Sequence, residues 1–106
     1  MNLPGLEAAL AQLVHSGLVI DYGTLARQLA IPGPGSIARL AAALEDLMAQ
    51  DAAAGLPFRA ALVCARLGNG EPAPGFFKAA ARLGRYDGTD PASFVAAERA
   101  RLFKAG

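Results

Sequence analysis

Three observations predict a mainly α (α+β) fold, a single winged-helix-like domain with three N-terminal helices, a short β-hairpin or wing, and C-terminal helices. Apolar residues recur at helical spacing through the first half of the chain. The period changes to that of a strand around Leu62 and Val63, and helical spacing returns after Phe76. At 106 residues the chain has the length of one domain with one core. Alanine inflates the apolar fraction of 54%, so the packing volume must come from Leu, Ile, Val, Phe and Met.

Leu6, Leu10, Leu13 and Val14 share one helical face, which predicts a first helix from about Pro4 to Ser16, stopped by Gly17. Leu18-Val19-Ile20 is a branched run that can pair as a strand. Asp21 or Gly23-Thr24 then caps a second helix that turns Leu25 and Leu29 inward, and Pro32 ends it at about Ile31. Pro32-Gly33-Pro34-Gly35 reads as a stiff turn, after which Ser36 caps a third helix with Ile37, Leu40, Ala41, Leu44, Leu47 and Met48 on one face. Asp51 to Gly55 close that helix. Arg59 to Leu67 reads as a strand ending at Gly68-Asn69-Gly70, and Glu71-Pro72-Ala73-Pro74-Gly75 as the ragged returning arm of a wing or an irregular loop. Phe76-Phe77 opens a helical stretch to about Leu83, and Asp90-Pro91 caps a last helix running through Phe103.

Asp21-Tyr22-Gly23-Thr24-Leu25-Ala26-Arg27, Ile37-Ala38-Arg39-Leu40 and Gly55-Leu56-Pro57 follow one another in winged-helix order. Over roughly Val19 to Gly70 this resembles the carboxy-terminal domain of alkylguanine-DNA alkyltransferases and the non-catalytic alkyltransferase-like proteins. The resemblance implies that Tyr22, opening the first motif helix, helps to rotate a DNA phosphate. It also implies that Arg39, in the recognition helix, fills the stack after a base is flipped, offsetting part of the few kcal/mol that extrusion costs. The family's Pro-Cys-His-Arg transferase motif is replaced by Pro57-Phe58-Arg59-Ala60, with neither nucleophile nor activating histidine. Dealkylation by the family mechanism is therefore not expected, and Pro32 to Gly35 lengthens the turn before the recognition helix. Gly55-Leu56-Pro57, Ala61-Leu62-Val63 and Pro74-Gly75-Phe76-Phe77 also resemble a pattern in small bacterial proteins of unknown function.

The expected function is a non-catalytic protein that binds double-stranded DNA weakly. Arg27, Arg59 and Arg66 are candidates for phosphate contacts beside Arg39, and four such contacts imply a salt slope of roughly −3 to −4. Ten Lys and Arg against nine Asp and Glu leave a net charge of +1, so any such face must be local. That balance favours an alternative, a protein-interaction or dimerisation module whose contact surface is the proline-rich wing: Pro72, Pro74, Phe76 and Phe77. No catalytic residue, metal ligand set or cofactor is expected. Cys64 is alone in an apolar strand, His15 has no acidic or thiol neighbour, and the glycine turns lack the spacing of a phosphate loop. The lone cysteine fits a reducing cytoplasm, and no apolar run approaches the ~18 residues of a membrane span.

Overall fold

The computed structural model describes residues 3–65 and 70–105. Five α-helices occur among them: α1 (Leu6–Ser16), α2 (Tyr22–Gln28), α3 (Ser36–Ala54), α4 (Pro74–Arg82) and α5 (Pro91–Ala105). Two short strands, β1 (Ile20–Asp21) and β2 (Val63–Cys64), complete the regular structure together with a 3₁₀ turn at Arg59–Leu62. The mainly α expectation holds, as do the helices before and after the β segment.

Local chemistry explains the helix ends. Gly17 and Gly55 take left-handed backbone, at φ 71° and 70°, and donate their N–H groups back into the last turns of α1 and α3. Asp21 caps α2: Oδ2 accepts the Thr24 N–H at 3.0 Å and Oδ1 accepts the Thr24 hydroxyl at 2.6 Å. Asp90 caps α5 in the same way, accepting the Ser93 N–H at 3.2 Å ahead of Pro91 at the first helical position. The cap of α3 differs from expectation, because Gly35 holds that place and Ser36 is already helical, with no side-chain cap bond.

The two described strands form a parallel ladder, while the expected hairpin or wing runs across residues 66–69, outside the described residues. Ile20 pairs with Val63 and Asp21 with Cys64, so β2 lies beside a strand far back in the chain. The described residues contain no antiparallel ladder. A backbone bond from the Ala65 N–H to the Glu71 carbonyl, 2.9 Å, draws the ends of that segment together, and the chain enters α4 at Pro74. The strand expected from Arg59 to Leu67 begins instead as a 3₁₀ turn. The Asp51 carboxylate accepts the Arg59 N–H at 3.0 Å, and Ala60, Ala61 and Leu62 are all buried behind it. The turn expected at Gly68-Asn69-Gly70 and the end of that strand lie largely outside the described residues.

The core lies between α3 and the remaining helices, with Leu6, Leu10, Leu25, Leu40, Leu44, Leu47, Met48, Phe58 and Val63 nearly or wholly enclosed. Phe58 is its aromatic centre. Its ring meets Phe76 edge to face at 6.0 Å and Phe94 at 6.4 Å, and the Arg85 guanidinium lies 4.3 Å above it. Glu98 on α5 accepts the Phe58 N–H at 3.0 Å and the Arg85 guanidinium at 2.9 Å, fastening α5 to the segment before the 3₁₀ turn. Arg99 reaches the same region by donating 2.7 Å bonds to the carbonyls of Ala61 and Gly70.

Candidate nucleic-acid interface

The two helices of the motif, α2 and α3, pack on each other and are joined by the exposed turn 32–35. Between α2, the first turn of α3 and Ala65 lies an open cleft of about 530 Å³. Tyr22 and Arg27 line it from α2, and Ser36 and Ile37 from α3. None of its described lining residues is acidic. Asp21, next to Tyr22, is engaged as the α2 cap, and Glu45 further along α3 faces Arg82 at 3.6 Å.

The candidate residues divide sharply by exposure and partner. Arg27 is exposed, its Nη2 donating to the Thr24 hydroxyl at 3.2 Å. Arg39 is exposed, its Nη1 donating to the Pro32 carbonyl at 3.2 Å, so the lengthened turn steadies the side chain while leaving most of its donors outward. Tyr22 is half-buried and its hydroxyl accepts the Ala73 N–H at 3.2 Å. Burial pushes the Tyr22 phenol above its ordinary pKa, so the proton stays in place and remains available for donation.

Arg59 does not join this group. Its guanidinium is bound by Asp51 at 3.0 Å and by Glu7 at 2.9 Å. Asp51, in the stretch expected to close the third helix, is only 2% exposed and serves as the acceptor of that network. Arg66 lies outside the described residues. The proline-rich segment is not an exposed apolar patch: Pro72 and Phe76 are buried and Phe77 is half-buried, its ring against Phe76 at 5.2 Å and Tyr86 at 5.5 Å. Pro74 alone of the four is exposed, as the first residue of α4. The aromatics of this segment are consumed in seating α4 on the core.

Two site features escaped the sequence reading. Ile37 was assigned to the buried face of α3, yet it is 46% exposed, because the first turn of the helix projects past the core beyond Leu40. Phe58, in the stretch Pro57-Phe58-Arg59-Ala60, is fully enclosed. A signal for the latter was present in α5, where Glu98 falls on the same face as Val95 and Leu102 and so marks a buried carboxylate seeking donors. No group of three or more His, Cys, Asp or Glu side chains converges to hold a metal ion among the described residues, and none of their helices is long and apolar enough to cross a membrane.

Family models, curated protein sequences and solved structures were all compared with the chain, and none gives a significant match.

The α2 cap makes the site sensitive to acid. The Thr24 hydroxyl, and next its N–H, hold the Asp21 carboxyl below the ordinary aspartate pKa of 3.8. A lowered folded value means that the cap's contribution is complete above the ordinary value and is lost as pH falls through the lowered one. The protection of the Thr24 amide, taken relative to the intrinsic exchange rate at each pH, is accordingly expected to be high at neutral pH and to fall on acidification below 3.8. Asp21→Asn, which keeps an acceptor that does not titrate, should flatten that dependence.

Proposed function

We propose that the chain is a non-catalytic, winged-helix-like DNA-binding protein of the alkyltransferase-like kind. The observation that carries this reading is a pair of exposed guanidiniums, Arg27 lining a cleft with no acid among its described lining residues and Arg39 on the first turn of α3. The first turn of α3 approaches the duplex, Arg27 and Arg39 meet phosphates or the stack, and the Tyr22 hydroxyl donates to the backbone. Phe58 in place of a nucleophile leaves recognition without alkyl transfer.

With Arg59 held by Asp51 and Glu7, two of the candidate cations that the structure describes, Arg27 and Arg39, remain for phosphate contact. Fluorescence anisotropy of a labelled duplex should then show a salt slope of about −2, reduced by about one in Arg27→Ala and again in Arg39→Ala. Tighter binding to a duplex carrying an alkylated guanine, with the alkyl group left on the DNA, would mark the alkyltransferase-like kind. Absence of salt-sensitive binding at low ionic strength would refute the reading.

The net charge of +1 favours a second reading, protein interaction or homodimerisation. Its surface would be an open apolar groove of about 560 Å³ where Val14, Leu56, Pro57 and Leu102 converge, in place of the buried Phe76. Sedimentation of the chain alone tests the homodimer.

A further inference from the structure

Asp21 makes one bond more at the start of α2 than its cap requires. Its Oδ2 accepts the Thr24 N–H at 3.0 Å, which satisfies the backbone, and its Oδ1 accepts the Thr24 hydroxyl at 2.6 Å. A bond this short to a carboxylate is charge-assisted and holds the hydroxyl firmly. A hydroxyl has one proton, so the Thr24 oxygen has only lone pairs left for other partners. Arg27 uses one of them, donating from Nη2 at 3.2 Å. Branching at Cβ limits the threonine side chain to few rotamers, which fixes the direction of those lone pairs.

The result is a chain of bonds from Asp21 through Thr24 to Arg27. It runs along the wall of the cleft: a Cβ built on Gly23, a lining residue, would come within 3.3 Å of Asp21 Oδ2 and 3.6 Å of Arg27 Nη1. The guanidinium is thus drawn back over the first turn of α2, while the exposure of the side chain leaves its other N–H donors open. An arginine with free torsions loses much of that freedom when it grips a phosphate, and one already ordered loses less. Resting on the DNA-binding reading above, we infer that Thr24 is a positioning residue, whose hydroxyl, aimed by Asp21, presets Arg27 for a backbone phosphate. In this role Thr24 acts through Arg27 and not on the duplex.

The test is a double-mutant cycle on the full chain, read by fluorescence anisotropy of a labelled duplex across a salt series. Thr24→Val removes the hydroxyl, nearly keeps the shape and leaves the backbone cap bond to Asp21. It should weaken binding about fivefold at fixed salt and leave the salt slope near the wild-type value, because Arg27 keeps its charge. Thr24→Ala, which also lacks the hydroxyl but favours a helix, should reproduce that loss. In an Arg27→Ala background, Thr24→Val should cost nothing further. Thr24→Ser, which restores the hydroxyl, should bind within about twofold of wild type. In the free protein, NMR relaxation should show the Arg27 Nε–H group gaining motion in Thr24→Val and not in Thr24→Ser. Unchanged Arg27 motion, or a loss of affinity that is absent or equal in both backgrounds, would overturn the positioning role and leave the DNA-binding reading standing. Absence of salt-sensitive binding in wild type would overturn both.

Discussion

Glu98→Ala is expected to lower the free energy of unfolding by about 3–5 kcal/mol, the range found when one partner of a buried ion pair is removed. Glu98 is 3% exposed and accepts from the buried Phe58 N–H and from the guanidinium of Arg85, which is mostly covered and stacked over the Phe58 ring. Without the carboxylate, a buried backbone donor is orphaned and a largely enclosed charge loses its counterion. Arg101, at 3.3 Å from the other carboxylate oxygen, is exposed and loses little. Urea unfolding followed by far-ultraviolet circular dichroism measures the change. Glu98→Gln should fall between, since its amide oxygen can still accept one of these bonds. A loss below about 1 kcal/mol for the alanine variant, the scale of an exposed ion pair, would mean that α5 is not fastened through this residue.

Phe58→Cys is the second large effect, and it bears on function as well as stability. The substitution restores the residue type that the alkyltransferase resemblance places at this position, yet no gain of activity is expected. The side chain is fully enclosed beneath Phe76, Phe94 and Arg85, so a thiol there would be hidden from solvent and from an extruded base. The lost ring should leave a cavity and cost about 3 kcal/mol. Thiol labelling of native protein should report Cys64 readily and the introduced cysteine only on unfolding, and an alkylated duplex should keep its alkyl group. Rapid labelling of both thiols in the folded state would show that the site opens more than its packing indicates.

The helix boundaries were the most legible part of the fold because each depends on neighbours in sequence. Asp21 and Thr24 make their cap within three residues, Gly17 and Gly55 stop helices by their own backbone, and Asp90-Pro91 starts one. The parallel pairing of Ile20 with Val63 was not legible. A two-residue strand carries too little periodicity to announce its partner, and the nearby glycines suggested a hairpin instead. The bonds made by the two buried carboxylates, Asp51 and Glu98, were not legible, because their donors come from Arg59, Phe58 and Arg85, which only the folded chain brings to them. The same distinction governs the candidate site. Arg27 and Arg39 could be named from their places in the motif helices, whereas the withdrawal of Arg59 and the emergence of Ile37 depend on how the folded chain packs around α3.

The ladder between β1 and β2 changes what counts as a separable piece of this chain. Because Ile20 meets Val63 and Asp21 meets Cys64, α2, the turn and α3 are the contents of a loop closed by backbone bonds at its two ends. Closing a loop of that span carries an entropy cost that only the contacts at the closure can offset, so the two helices hold their mutual angle through residues beyond either of them. A peptide cut to α2 and α3 would retain the cap and the exposed arginines but lose the fastening. The closed loop runs from Ile20 to Cys64, and it leans in turn on Glu7 through Arg59 and on α5 through Phe58. Transplanting the two helices alone into another scaffold would move the residues without the arrangement.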